Sequence, residues 1–189
     1  EHGNIDILIN NAGIVVGKYF HEHTAEEIEK TMMINANAPM HITNNFISKM
    51  IEQNSGHICN IASSASLLAN PKMSVYAASK WSVFAWSDSL RLEMKQLNKD
   101  IKFTTILPYY INTGMFDGVK SRISILDAEK TALTIIKAIE KNKKIITIPW
   151  WIYRFTRFGQ TVMSVNFFDW FAGKVMGIYK TMDDLKGRK

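Results

Sequence analysis

A single cysteine, Cys59, stands in the apolar run HICNIA, so the chain can close no internal disulfide and offers no cysteine metal site. That usage fits a reducing compartment or a cytosol-facing location. No apolar stretch runs unbroken for about 18 residues, and no signal peptide is present, so the sequence contains no evident transmembrane helix. A basic body is also missing. Residues 1–140 carry 13 Lys and Arg against 14 Asp and Glu, whereas residues 141–189 carry 10 against 3, which puts the whole net charge of +6 in the tail. A nucleic-acid-binding fold needs its cations clustered on the folded body, so nucleic acid is excluded as a partner. The apolar content of 47% and charged content of 21% exclude disorder as the main theme and suit one domain with a sizeable core. The chain opens at Glu1, directly before a strand pattern, and reads as the continuation of a longer one; a membrane anchor ahead of Glu1 is left open.

Four short β-branched runs recur: IDILIN (5–10), HICNIA (57–62), IKFTTIL (101–107) and KIITIP (144–149). Each is nearly continuous rather than alternating, the pattern of a strand covered on both faces. Helical patterns separate them. Thr24 with Glu27 is a capping box opening a helix through Ile34. Pro39 marks a break or a fresh first turn before a helix through Ile51. A long helix is predicted over Val75–Leu97, and another over Asp127–Lys141 with Asp127 as N-cap. Strand and helix in alternation predict an α/β, Rossmann-like doubly wound parallel sheet in three layers, over residues 1–148. Residues 149–189 form a separate C-terminal segment.

In such sheets ligands sit outside the carboxyl ends of the strands. That rule selects NAGIVVG, SSAS, PYYINTGM and PWW as the loops to watch. It also brings in SVYAASKW, Ser74–Trp81, where Tyr76 and Lys80 lie four apart on one helix face. A free phenol has a pKa near 10. An ammonium about 5 Å away at an effective dielectric near 20 is worth roughly 3 kcal/mol, enough to draw the phenol down by about two pH units. Taken alone, the pair reads more readily as a tyrosine packed on a lysine stem. Ser63, thirteen residues earlier at the end of the second strand, could offer a hydroxyl to the same reacting oxygen.

The set NNAG (10–13), Ile34–Asn35, GHICNIASSAS (56–66), YAASK (76–80), SLRLEM (89–94) and LPYYINTGM (107–115), in this order and spacing, resembles the short-chain dehydrogenase/reductase family over nearly all of the chain. The resemblance implies an NAD- or NADP-dependent oxidoreductase. Tyr76 would be its general acid/base, and Lys80 would tune that tyrosine and bond the nicotinamide ribose. Ser63 would orient the substrate oxygen, and Asn35 would hold a water linking Lys80 to solvent. Asn10, Ala12 and Gly13 would run beside the adenosine half of the cofactor; Pro108, Ile111 and Thr113 would contact the nicotinamide.

The chain departs from the family at one important place. The phosphate loop Thr-Gly-x-x-x-Gly-x-Gly is absent, and none of the ten glycines has its spacing. NNAG then falls at the fourth strand of a complete sheet, with the first strands and helices missing, and the chain alone is expected to hold a dinucleotide poorly and to be inactive. From Pro149 to Lys180 the tail carries 10 of the 21 aromatics, interleaved with Arg154, Arg157, Lys174 and Lys180. That composition fits a segment on a membrane surface, and equally a lid over the substrate pocket or a homodimer contact; each reading points to a lipophilic small-molecule substrate. The tail, TGMF (113–116) and the closing MDDLKGRK resemble the membrane-associated retinol and 17-beta-hydroxysteroid dehydrogenase branch. This implies a retinoid, steroid or long-chain alcohol as substrate, at the endoplasmic reticulum or a lipid droplet. The competing reading is a non-catalytic protein that binds such a surface and keeps only the fold.

Overall fold

The computed structural model describes residues 4–187; Glu1 and the last two residues of MDDLKGRK lie outside the described residues. Four strands, β1 (Ile7–Asn10), β2 (Gly56–Ile61), β3 (Ile101–Pro108) and β4 (Ile145–Ile148), form one parallel sheet in the order β1-β2-β3-β4. Each overlaps one of the four β-branched runs, β2 beginning one residue before its run and β3 ending one residue after. The register sets Asn10 beside Asn60, and Asn60 beside Thr105.

Side-chain alternation along the strands divides the layers. Ile58 and Phe103 pack with Met50 of α2 (Ala38–Gln53) and Met94 of α3 (Ser74–Gln96). Cys59 and Ile106 point the other way, onto Ala138 and Ile139 of α4 (Ala128–Glu140). Helices therefore cover both faces of β2 and β3. The expectation of full cover fails for β1: Ile7 and Ile9 are half exposed, because this strand is the edge of the sheet and α4 packs only over the other three strands.

The helix starts are where the cap chemistry places them. At α1 (Ala25–Met32) the Thr24 hydroxyl accepts from the Glu27 amide at 3.2 Å, and Glu27 accepts in return from the Thr24 amide. Asp127 accepts from the Lys130 amide at 2.8 Å. Pro39 stands in the first turn of α2, one of the two places expected for it, but the backbone before it stays helical. The rod runs on from α1 into α2 through a π-helical turn, Met33–Asn37. Proline has no N–H to give the carbonyl four residues back, and that carbonyl belongs to Asn35, so the turn widens there.

A polar chain crosses the buried face under α2 and α3. Asn10 Nδ2 donates to Thr43 Oγ1 (3.0 Å) and to Asn60 Oδ1 (2.7 Å); Asn60 Nδ2 donates to Ser87 Oγ (2.9 Å), which lies 2.8 Å from Thr105 Oγ1. Asn60, Thr43, Ser87 and Thr105 are almost wholly buried. An unpaired polar atom here would cost about 1–3 kcal/mol, so the network fixes both helices in register with three strands.

Candidate active site

All four loops that follow the strands meet at the carboxyl end of the sheet. They wall a cavity of about 470 Å³, the size of a small-molecule site. Asn11, Ala12 and Gly13 come from the loop after β1, Ser63 to Ala65 from the loop after β2, Pro108 to Ile111 and Thr113 from the loop after β3, and Trp151 from the segment after β4. The open ends of parallel strands leave backbone and polar groups free there, and the loops of successive strands converge on one point.

Tyr76 and Lys80 stand in the first two turns of α3, both buried and both on the cavity wall. Ser63 begins the 3₁₀ turn Ser64–Ser66, its Oγ accepting from the Ala65 amide at 3.1 Å. Its hydroxyl also lies near enough to the Tyr76 phenol to draw the phenol's pKa down. Ser66 is turned away, donating to the Lys80 carbonyl at 2.7 Å, so of Ser63 and Ser66 it is Ser63 that meets the tyrosine. Lys80 Nζ donates to the Ile61 carbonyl at 2.9 Å. Asn35 lies behind the cavity wall. Its Oδ1 accepts from the Ile14 amide at 2.8 Å, and its Nδ2 donates to the Ile14 carbonyl and to Ser79 Oγ. Asn35 and Lys80 approach each other across Gly13, where a Cβ would sit 3.3 Å from Asn35 Oδ1 and 3.4 Å from Lys80 Nζ. Only glycine leaves that gap free.

Two sequence expectations change here. Asn10 is turned inward, into the network with Thr43 and Asn60, and away from the cavity; its neighbour Asn11 lines the wall instead. Successive strand residues point to opposite sides, so the last residue of β1 faces the core and the next one the loop. The electrostatics also reverse. Burial pushes the Tyr76 phenol up to about 12, against the pull of the Ser63 hydrogen bond, and burial pushes Lys80 down to about 8. The surface-like dielectric of the Coulomb argument does not apply to two dry groups, for which desolvation outweighs the attraction. At neutral pH Tyr76 is a protonated phenol, set to donate.

Much of the remaining wall lies outside the motifs, though Tyr110 belongs to LPYYINTGM and Phe116 to TGMF. Leu68, Met73, Tyr110, Phe116 and Ile123 enter from long loops, and Ile152, Phe155 and Thr156 come from α5 (Trp151–Val162), Phe168 from α6 (Val165–Trp170). Tyr76 meets Phe116 edge-on with ring centres 6.0 Å apart, and Phe116 meets Tyr110 at 4.9 Å. The three-to-four-residue spacing of Trp151, Ile152, Phe155 and Thr156 in α5 was the available signal for a helix with one face inward.

Residues 1–124 match the model of the short-chain dehydrogenase family. The chain belongs to that family. Retinol dehydrogenase 10-B of Danio rerio is 38% identical over 173 residues, 88% of this chain and 51% of the relative. Retinol dehydrogenase 10 of Xenopus tropicalis is 43% identical over 126 residues, 66% of this chain and 37% of the relative. The chain is thus similar to retinol dehydrogenases along most of its length and spans 51% and 37% of these two relatives. Its fold superposes on a short-chain dehydrogenase from Burkholderia phymatum in complex with NAD, with TM-score 0.73 and 22% identity over 84% of this chain and 66% of that one. A Sphingobium yanoikuyae short-chain dehydrogenase in complex with NADPH gives 0.72 and 23% identity over 87% of this chain and 68% of that one.

Gly13, Lys80 beside it and the loop Pro108–Thr113 line the cavity wall. The glycine-rich phosphate loop is not in this sequence.

Proposed function

We propose that the chain carries the acid/base centre of an NAD(P)-dependent oxidoreductase that interconverts a lipophilic alcohol and its carbonyl. The observation that carries this reading is the Ser63–Tyr76 hydroxyl pair on the wall of a cavity otherwise built mainly of apolar side chains, with Lys80 on the same helix face. In reduction Tyr76 gives its proton to the carbonyl oxygen while Ser63 holds that oxygen by a second hydrogen bond. In oxidation the phenol takes the hydroxyl proton back. Lys80, held near 8, exchanges protons readily near neutral pH. The Asn35 carbonyl, which Pro39 cannot bond within the helix, is suited to hold the water that resupplies it. Lys80, Pro108, Ile111 and Thr113 would hold the nicotinamide half of NAD or NADP, which supplies the hydride, and Ala12 and Gly13 would run beside the adenosine half.

Several aromatic walls, among them Phe116, Trp151 and Phe155, favour an extended apolar substrate. The names of the relatives put a retinoid first, with steroids and long-chain alcohols behind. The test uses the protein that carries this chain, incubated with all-trans-retinol, a hydroxysteroid or 1-dodecanol and either oxidised nicotinamide. Alcohol-dependent growth of the reduced nicotinamide absorbance is expected with at least one. If none appears with any combination while a surface-binding assay is positive, the non-catalytic reading takes its place.

The helices that line the cavity also carry an outward apolar side. Trp150, Phe158, Val162, Val165 and Phe167 are exposed, with Arg154, Arg157 and Lys174 among them. Such a surface suits a membrane or lipid-droplet interface on the cytosolic side of the endoplasmic reticulum, with the basic residues on anionic headgroups. No helix among the described residues is long and apolar enough to cross a membrane. Flotation with anionic liposomes should fall several-fold on replacing Trp150 and Phe158 together by serine; unchanged flotation rules the contact out.

A further inference from the structure

The apolar half of the cavity carries one hydroxyl that bonds to nothing in the protein. Thr156 stands in the middle of α5, is only 3% exposed, and lines the cavity with Ile152, Phe155 and Phe168. A threonine inside a helix commonly donates to the carbonyl four residues back. Thr31, Thr131, Thr134 and Thr161 all do so, at 2.6–2.8 Å. Thr156 Oγ1 has no such bond, nor any other among the described residues. It is not sealed in either. The closed-off side-chain polar atoms without a partner there are the His23 ring nitrogens and the Asn70 amide oxygen, so the Thr156 hydroxyl keeps open surface, and the space it lines is the cavity.

Contacts one turn to either side hold this face of α5 inward. Ile152, four residues earlier, is packed in the main core. Gln160, four residues later, donates from Nε2 to the Leu67 carbonyl at 2.7 Å. At Gly159 the Phe168 ring closes against the helix, where a Cβ would stand 2.7 Å from it. The backbone under Thr156 is thus fixed from three sides.

A hydroxyl taken out of water without a partner is unfavourable, and a site that keeps one discriminates for a molecule that completes the bond. A hydroxyl both donates and accepts, so either an alcohol or a carbonyl oxygen completes it. The cavity wall contains no aspartate or glutamate to pair an ammonium, and the apolar side chains around Thr156 disfavour a carboxylate. We propose that Thr156 Oγ1 is a second recognition point, bonding an uncharged oxygen of the substrate other than the one that reacts. The inference rests on the cavity taking a lipophilic alcohol, and it narrows that class to molecules with a second, separated oxygen. Thr156 comes from the helix after β4, whereas Ser63 and Tyr76 come from the loop after β2 and from α3, so the two ends of the substrate meet walls built by different elements.

The experiment measures binding, so it does not depend on turnover. In the protein that carries this chain, quenching of tryptophan fluorescence, with Trp151 on the cavity wall, is followed on titration with 1-dodecanol and with dodecanediols carrying one terminal hydroxyl and a second at successive positions. At least one diol is expected to bind roughly tenfold tighter than 1-dodecanol. In Thr156→Val, which keeps the branched shape, that ratio should fall to about one; in Thr156→Ser, which keeps the hydroxyl, it should stay within a few-fold of the parent. Because the hydroxyl has no partner in the protein, the valine variant should unfold at a urea concentration no lower than the parent's. The proposal is overturned if no diol is preferred, the result expected when water alone occupies the hydroxyl. It is equally overturned if the preference persists in Thr156→Val, if it is lost in Thr156→Ser, or if Thr156→Val unfolds more easily, which would mean that the hydroxyl is bonded inside the protein. A diol preference that depends on Thr156 without any nicotinamide reduction would sink the enzymatic reading and leave this one standing.

Discussion

Tyr76→Phe, made in the protein that carries this chain, is expected to lower turnover by about 10²- to 10⁴-fold, the typical contribution of a positioned general acid. The substitution removes one hydroxyl and keeps the ring. The edge-on contact with Phe116 survives, the helix keeps its packing, and only Ser63 loses a partner, at a cost of about 1 kcal/mol. Cofactor affinity, read from quenching or enhancement of reduced nicotinamide fluorescence, should change by less than a few-fold. Turnover within tenfold of the parent would show that another group moves the proton. Because burial holds the phenol near 12, the parent's reduction rate is not expected to lose its acid as pH rises through neutrality toward 10. A steep fall in that range would point to a different donor.

Lys80→Met should separate function from stability. The ammonium is buried, and its displacement from 10.5 to about 8 means that folding at pH 7 works against roughly 3 kcal/mol. Methionine fills the same channel without a charge and gives up the bond to the Ile61 carbonyl, worth about 1 kcal/mol. The variant is therefore expected to be more stable than the parent by about 2 kcal/mol at pH 7, by urea denaturation, while losing most of its turnover. The pH dependence follows from linkage. Between about 8 and 10.5 the unfolded lysine keeps a proton that the folded one has released, so the parent gains stability as pH rises through that window. Below 8 the full penalty applies. The gap between variant and parent should thus close from pH 7 to 10. Tyr76 and Tyr109, both pushed up to about 12, lower stability between 10 and 12, but equally in the two proteins. A gap that stays constant with pH, or a variant less stable at pH 7, would contradict the burial of a charged lysine.

The tail shows why composition left its role undecided. Interleaved aromatics and cations describe a membrane-facing segment and a pocket lid in the same residue types. In the fold one helix serves both sides: Trp151, Ile152 and Phe155 turn to the cavity, and Trp150 and Phe158 to solvent. Only the rotation of α5 against the sheet assigns each ring, and that rotation is set by packing between residues far apart in sequence.

By itself the sequence determined the parallel α/β order, the caps at Thr24 and Asp127, the gathering of the strand-end loops around one cavity, and the placing of Tyr76 and Lys80 on one helix face. These depend on local spacing: the periods of helix and strand, a turn's capping chemistry, four residues on one helical face. The tertiary structure decided what depends on surroundings. It made Asn10 a core residue and Asn11 a wall residue. It carried the helix through Pro39 by a π-helical turn, and it raised the phenol that a Coulomb estimate had lowered. It also tied the Asn70 amide nitrogen to two hydroxyls supplied from 40 and 111 residues away. Burial and long-range hydrogen bonding are properties of the packed chain, and no local window contains them.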